Sequence, residues 1–210
     1  AGQRRAEIEG RTVDVLTREV ALVEAYDLAW RPRPVMQSYL ASTAGLDRRD
    51  AAFLASDRAP ERLLVELFGL DTRDPLADTP LTWRTLALHW EPVALDRRWL
   101  VLKRRQTPRT VESRTLATSE VGLNRPFRLP APERGHLELT LRLEPTVAGR
   151  LVGLVWKVPE VRLQPVEPTQ RPPRRVVAAT AVNPFPVVEP PVTTPAELAL
   201  PDQAHHGRQV

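Results

Sequence analysis

The chain has 210 residues, a formal net charge of +4 and no cysteine. This length allows one domain with a hydrophobic core, and the lack of cysteine excludes disulfides, zinc–thiolate sites and thiol nucleophiles. No apolar run reaches the roughly 18–20 residues that a membrane span needs, and no signal peptide is visible. The sequence thus predicts no membrane span and leaves the compartment open, with a cytoplasmic or virion-associated location favoured.

The charge is unevenly distributed along the chain. Residues 1–79 carry 11 arginines against 14 acidic residues, whereas residues 80–167 carry 15 basic against 9 acidic residues. A split of this kind can steer two different partners to the two parts of the chain, although an ordinary solvated surface shows it as well.

Residues 1–79 are predicted to form a small helical unit. Between Thr12 and Trp30, apolar residues recur at spacings of three and four, which predicts an amphipathic helix that packs on the core or on a partner. Pro32 ends this helix, because proline has no backbone N–H to donate. Three shorter helices and a turn-rich linker are expected to follow, at 35–44, 48–55 (with Asp47 as its N-cap), 60–69 and 71–80.

The clearest strand pattern lies between His136 and Val158. Four leucines from Leu137 to Leu143 alternate with polar residues, which is the period-two signature of a half-buried strand. Residues 151–158 are almost wholly apolar, as in a strand that is covered on both faces. The two runs together predict a β-hairpin.

The rest of residues 80–167 is also predicted to be rich in strands. The order of strand, Glu-Pro, loop and second strand in the later hairpin recurs between Leu86 and Lys103, which indicates two hairpins of similar design. Residues 106–120 are expected to form a long loop or an irregular strand. Further strands are expected at 82–90, 99–103, 127–129 and 161–168. The predicted fold class is α+β, with an antiparallel β-sandwich or barrel-like domain after the helical unit.

Residues 168–210 contain nine prolines and are predicted to form an extended arm, with a short strand at 176–182. Ordering such a segment costs roughly 1–2 kcal/mol per residue, so we expect it to lie on another protein subunit, of the same or a different chain. The residues expected to contact that neighbour are Pro172, Pro173, Val176, Val177, Phe185, Val187 and Val188.

The sequence contains no recognisable catalytic, metal-binding or phosphate-binding motif. The G-x-S-x-G, HExxH, GxGxxG and GxxxxGK[ST] patterns are absent. His89 and His136 are interpreted as surface or boundary residues rather than general bases, because nothing in their spacing requires a catalytic partner. We therefore expect a protein that is not an enzyme and that uses no cofactor and no metal.

Nucleic-acid binding is the alternative to a protein partner. Basic residues around an aromatic side chain suit phosphates and base stacking, but the aromatic can equally be a core residue while the basic residues protect a strand edge. No helix-turn-helix, RRM or zinc-finger pattern accompanies them. The basic residues around Trp99 are Arg97, Arg98, Lys103, Arg104 and Arg105, with Arg109 and Arg114 beyond.

The sequence thus favours a structural or interaction subunit of a large multi-subunit assembly. A virus or phage particle, or its tail, is the first expectation, by analogy with assemblies that are locked by extended arms. In this interpretation the arm at 168–210 binds neighbouring subunits. The alternative is a nucleic-acid-binding protein that uses the basic region from Arg97 to Arg114.

Overall fold

The structure is a computed structural model, and it describes residues 6–16, 18–67, 69–95, 98–130, 135–155, 160–164, 166 and 173–187. Within these ranges the strands are β1 (Thr12–Leu16), β2 (Ala29–Trp30), β3 (Arg62–Val65), β4 (Trp90–Leu95), β5 (Leu100–Arg104), β6 (Leu137–Leu139), β7 (Val161–Leu163), β8 (Arg174–Val176) and β9 (Phe185–Val187). The helices are α1 (Ala21–Ala25), α2 (Ala44–Ala55), α3 (Pro75–Asp78), α4 (Pro80–His89) and α5 (Val147–Val155), with 3₁₀ turns at Ser38–Leu40 and Leu70–Thr72.

A five-stranded mixed sheet forms the centre of the fold, in the order β2-β1-β3-β5-β4. Strands β2, β1 and β3 are parallel, whereas β5 is antiparallel to both of its neighbours. The pairs β6–β9 and β7–β8 form two separate two-stranded sheets. The chain is therefore mixed α+β, and its described residues form no closed barrel.

The two faces of the central sheet carry two apolar clusters. Because side chains alternate along a strand, Leu63 and Val65 of β3 join one cluster while Leu64 joins the other. Helices α2 and α4 cover the first face, and α1 lies on the second. The first cluster includes Leu16, Leu54, Trp83, Leu86 and Trp90, and the second includes Val13, Val15, Val23, Trp99 and Val101.

The segment 173–187, which contains β8 and β9, packs on the chain's own helix α3. Val176, Ala181 and Phe185 are buried in one cluster with Ala77 of α3. A guanidinium nitrogen of Arg174 also lies 2.8 Å from the carboxylate of Asp74, next to the start of that helix. Apolar burial and an ion pair thus hold this part of the C-terminal region on the body of the chain.

The single helix predicted from Thr12 to Trp30 is wrong, because the structure divides this stretch into β1, α1 and β2. Val13 and Val15 are buried on one face of β1, and Asp14 between them points to the other face. β-branched residues suit such a buried, pleated position. Pairing of β1 with β3 therefore overrides a spacing that also fits a helix.

The prediction is also wrong at two further places, where it assigned a strand instead of a helix and a helix instead of a strand. Of the stretch 82–90, predicted as a strand, residues 82–89 belong to α4 and Trp90 begins β4; α4 begins with Pro80 in the first-turn position that proline favours. The stretch 60–69, predicted as a helix, contains β3. Short apolar runs fit both structures, and β3 is apolar because it lies between β1 and β5 with both faces covered.

The hairpin predicted over 136–158 is wrong in its second half. β6 retains part of the predicted first strand but pairs with β9, whereas Val147–Val155 forms helix α5. The Thr146 hydroxyl accepts the backbone N–H of Gly149 at 3.1 Å, as an N-cap residue does. This capping signal was present in the sequence and outweighs the strand-like composition that follows it.

The remaining expectations are met in part. The strands predicted at 99–103 and 161–168 are confirmed as β5 and the shorter β7, and the helix predicted at 48–55 lies within α2, which Thr43 caps instead of Asp47. Residues 127–129 form no strand, and 35–44 contains only a 3₁₀ turn before α2. The stretch 71–80, predicted as a linker, contains helix α3. The sequence also predicted a boundary between two units at residue 79, but β3 before it and β5 after it pair within the central sheet.

We expect Phe185→Ala to loosen the segment 173–187 without unfolding the central sheet. A buried Phe→Ala change costs about 3–5 kcal/mol, and here the lost contacts are those within the small cluster that includes Ala77 of α3. Hydrogen exchange should accelerate at the amides of Thr180 and Ala181, whereas the amides of β3 should stay protected. The exposed Val182→Ala is the matched control, and equal loss of protection in β3 would contradict a locally docked segment.

Candidate functional site

A buried cluster of charges joins β1, helix α2 and the loop that follows β2. Asp14 and Arg33 are almost fully buried, and a guanidinium nitrogen of Arg33 lies 2.9 Å from the carboxylate of Asp14. The Nε of Arg33 lies 3.5 Å from the carboxylate of Asp50 on α2. Arg33 also donates to the carbonyl oxygens of Val15 and Met36, at 2.9 and 2.8 Å. One side chain therefore connects three parts of the fold.

The carboxylates of this cluster are occupied by donors from the chain itself. Asp14 accepts the backbone N–H of Val15 and the indole N–H of Trp30, and Asp50 accepts the backbone N–H of Val35 at 2.8 Å. A buried charge is stable only when it is paired and hydrogen-bonded. The cluster is thus arranged to hold the loop after β2 in place, with its charges directed at one another.

A third buried carboxylate, Asp47 of α2, fixes the start of α4. It accepts the backbone N–H groups of Leu81 and Thr82, both at 2.9 Å, and the Thr82 hydroxyl at 2.8 Å. The first N–H groups of a helix have no partner within the helix, and a negative charge there is also favourable to the helix dipole. Asp47 thereby ties α4 to α2.

A small cleft adjoins this cluster. Ser38, which accepts a hydrogen bond from Arg33 at 3.1 Å, lines it together with Tyr39, Asp78 and Thr79. The volume is about 10 Å³, which is close to the space that one water molecule requires. The Thr79 hydroxyl is buried without a hydrogen-bond partner among the described residues. The cleft as it stands therefore suits a water molecule and is too small for a substrate.

Burial shifts the protonation of three carboxyl groups near the cleft. Desolvation raises the pKa of Asp50 and of Asp78 to about 6, although Val35 N–H and Arg33 act against the shift at Asp50 and Arg73 acts against it at Asp78. Desolvation also raises the pKa of Asp47, against its hydrogen bonds to α4. Structural networks perturb pKa values as active sites do, and here the network is the buried scaffold just described.

The basic residues proposed from the sequence to bind nucleic acid are paired with carboxylates of this chain. Arg98 lies 2.6 Å from Glu66 and 3.0 Å from Glu19. Lys103 and Arg105 each lie 3.0 Å from Glu91. These pairs neutralise much of the positive charge that would attract phosphates.

Two further observations concern the same basic region. Arg104 donates to the backbone carbonyl oxygens of Ala55 and Ser56 at the end of α2, and Trp99 is buried in the second apolar cluster. Arg97 lies outside the described residues. Trp99 is therefore a core residue and offers no exposed ring for base stacking.

The residues expected to form the partner-binding arm differ in how deeply they are buried. Val176 and Phe185 are buried within the chain's own core. Pro173, Val177 and Val187 are half-buried, while Pro172 and Val188 lie outside the described residues. Val176 and Phe185 thus pack in one cluster with Ala77 of α3.

Residues 106–128, called the exposed segment here, form a long run in which every residue is exposed. The Arg109 N–H donates to the carbonyl oxygen of Leu88 at the root of the segment, and Arg84 on α4 donates to the Ser113 hydroxyl at 3.1 Å. Contiguous exposed apolar patches mark sites of interaction with other molecules, whereas single exposed apolar side chains are common on any protein surface. Five large apolar side chains of this segment are between 41% and 76% exposed: Val111, Leu116, Val121, Leu123 and Phe127.

No protein-family model, curated protein or solved structure matches the chain. In the described part of the chain, no helix has both the length and the apolar character needed to cross a bilayer. The same residues contain no group of three or more His, Asp or Glu side chains that could hold a metal ion. Function is therefore inferred from the side chains themselves.

We expect Arg33→Met to be strongly destabilising, by about 3–5 kcal/mol, because it leaves the buried charges of Asp14 and Asp50 without their cation. Urea unfolding measures the loss. Arg31→Met, two residues away and exposed, is the matched control and should stay within about 0.5 kcal/mol of the parent. A small and equal effect of both changes would mean that Arg33 does not hold the loop.

The raised pKa of Asp78 predicts a dependence of stability on pH. Between its ordinary value of 3.8 and about 6, the folded chain holds a proton that the unfolded chain has released, so the free energy of unfolding falls as pH rises through this window. Asp78→Asn removes this titrating group. Between pH 4 and 7, the free energy of unfolding of the variant should therefore fall by less than that of the parent, and the difference should be on the order of 2 kcal/mol.

Urea unfolding at several pH values measures this slope. Asp57→Asn removes a fully exposed carboxylate and serves as the control. If both variants changed the slope to the same extent, burial of Asp78 would not be its cause.

Proposed function

We propose that the chain is a non-catalytic interaction subunit of a multi-subunit protein assembly, and that it contacts its partner through the exposed segment. The observation that carries the proposal is the exposure of every residue from 106 to 128, including five large apolar side chains. A monomer gains nothing from holding such side chains in water, whereas a partner that covers them gains hydrophobic burial. Membership of a virus or phage particle stays a prediction.

The segment is also supported as the contact surface by contrast with the rest of the C-terminal half. The predicted arm residues Val176 and Phe185 are already buried against α3, so their apolar surface is not available to a neighbour while that packing persists. The root of the exposed segment is fixed, because Arg105 and Arg109 donate backbone hydrogen bonds to His89 and Leu88. A partner therefore meets a segment whose origin on the body is defined.

The nucleic-acid alternative receives less support. Among the basic residues described, Arg98, Lys103, Arg104 and Arg105 are each within 3.3 Å of a carboxylate of this chain. A phosphate backbone would have to displace these intramolecular pairs before it could release its own counterions. We therefore retain the protein partner as the proposed ligand.

A combined variant, Leu116→Ser with Leu123→Ser and Phe127→Ser, tests the proposal. In the host cell, we expect the fraction of the chain in its native complex to fall, with an apparent affinity at least about tenfold lower, because a loss of about 1.4 kcal/mol in binding corresponds to a factor of ten. Native gel electrophoresis and size-exclusion chromatography of cell extracts measure the complex. The thermal midpoint of the isolated variant should match that of the parent.

The matched control removes apolar side chains of similar exposure from other parts of the surface: Tyr26→Ser, Leu40→Ser and Leu95→Ser. This control should retain the complex. A complex that survives the changes at 116, 123 and 127, or that is lost equally in the control, would overturn the proposal.

A further inference from the structure

We infer that the exposed segment is a site of proteolytic processing, at which a peptidase that cuts after arginine hydrolyses the bond between Arg114 and Thr115, and that the cut chain stays together as one particle. Water adds across this bond and leaves a carboxyl terminus on Arg114 and an amino terminus on Thr115. The inference goes beyond the proposed function and does not rest on it, because it concerns the chain before a partner covers the segment.

The backbone around Arg114 is open to a peptidase. Every residue from 106 to 128 is exposed, and residues 108–122 belong to no helix, strand or turn. Among the described residues, no backbone hydrogen bond involves residues 110–121. A peptidase has to draw residues on both sides of a bond into its cleft, and exposed segments are the preferred places for such cuts. Only one side-chain hydrogen bond, from Arg84 to the Ser113 hydroxyl, stands in its way.

Arg114 differs from the other three arginines of the exposed segment. The backbone N–H of Arg109 is bonded to the body of the chain, and that of Arg125 closes a turn within the segment. Arg128 is followed by residues 129–130, which are half-buried. The specificity pocket of a serine peptidase sets the residue before the cut, and in trypsin-like enzymes a carboxylate at its base selects a basic side chain. Arg114 is thus the arginine of the segment that such a peptidase reaches most easily.

The part of the chain before the cut contains the whole central sheet. Its five strands and both of its apolar clusters lie between residues 8 and 104. The cut therefore falls after the sheet is complete and removes no strand from it.

Polar contacts join the two sides of the cut without passing through the exposed segment. Arg84 of α4 lies 2.6 Å from the carboxylate of Glu138 in β6, and Arg174 of β8 lies 2.8 Å from the carboxylate of Asp74. The backbone N–H of Asp74 also donates to the carbonyl oxygen of Arg175 at 3.1 Å. Each of these contacts links a residue before the cut to a residue after it.

Apolar contacts act across the same division. Ala77 of α3 is fully buried in one cluster with Val176, Ala181 and Phe185. The fully buried hydroxyl of Thr180 donates to the carbonyl oxygen of Ala77 at 3.3 Å. Burial of apolar surface stabilises an interface whether or not a peptide bond joins its two sides. Hydrolysis in the exposed segment therefore leaves the contacts with α3 in place.

Limited digestion of the full chain with trypsin tests the site. Among cuts within the described residues, the first should create the Thr115 terminus, as measured by intact-mass spectrometry. Arg48 is the matched control within the same chain, because it is also exposed but lies in α2, where cutting requires the helix to open. We expect the cut after Arg114 to be at least about a hundredfold faster than the cut after Arg48. Equal rates at the two arginines would overturn the site.

Size-exclusion chromatography of the digested chain tests whether its two parts stay together. The fragments that end at Arg114 and begin at Thr115 should elute together in native buffer and separately in urea. Phe185→Ala, which weakens the cluster around α3, should raise the fraction of separated fragments at least about threefold, whereas the exposed Val182→Ala should not. Fragments of the parent chain that separate in native buffer would overturn the single particle.

Labelling of amino termini in the chain isolated from its host cell tests whether processing takes place there. Thr115 should be found as a terminus, Arg114→Gln should remove it, and Arg48→Gln should leave it unchanged. Absence of this terminus from both the free chain and the native complex would overturn the inference.

The outcomes separate this inference from the proposed function, because the combined change at 116, 123 and 127 leaves Arg114 in place. Loss of the complex in that variant, without a Thr115 terminus in the parent chain, supports the proposed function and overturns processing. A Thr115 terminus together with a complex that survives the combined change supports processing and overturns the proposed function.

Discussion

The fold depends most on the buried contact between Arg33 and the carboxylates of Asp14 and Asp50. A charged side chain is costly to bury unless it is paired and hydrogen-bonded. The two terminal guanidinium nitrogens of Arg33 donate to Asp14, to two backbone carbonyls and to Ser38, whereas its Nε makes no hydrogen bond and only faces the Asp50 carboxylate at 3.5 Å. These contacts restrict the loop after β2 to one course over β1. The position of α2 against the sheet is fixed by the same contacts, because Asp50 belongs to that helix.

From α2 the constraint extends to the C-terminal region. Asp47 caps α4, and Asp74 caps α3 while pairing with Arg174 of the segment 173–187. Each of these two carboxylates accepts backbone N–H groups at the start of a helix. Each also contacts a second group, the Thr82 hydroxyl for Asp47 and the Arg174 guanidinium for Asp74. Burial raises the pKa of Asp47, Asp50 and Asp78. These buried carboxyl groups therefore hold a proton more readily than exposed carboxylates do.

The body of the chain buries its apolar side chains, whereas the exposed segment leaves them in water. In the body, strands pair on the sheet and apolar side chains fill both of its faces. In the segment, every residue is exposed and large apolar side chains remain in water. A partner that covers the segment would bury these apolar side chains. The order of the root at Arg105 and Arg109 would reduce the conformational entropy lost on binding.

The sequence by itself determined the mixed α+β class, β5, β7, the helix that becomes α2 and the irregular character of residues 106–120, because these depend on local pattern and on turn and capping residues. It did not determine whether the stretches 12–30, 60–69 and 82–90 are helix or strand. Short apolar runs fit both periods, and pairing with distant strands makes the choice. Asp14 and Arg33 illustrate the same limit: nineteen residues apart in sequence, they become partners only when β1 and the loop after β2 are packed together. Tertiary structure decided these points. Burial and charge pairing act between residues that are far apart in the sequence, and a local sequence pattern does not show which of them become neighbours.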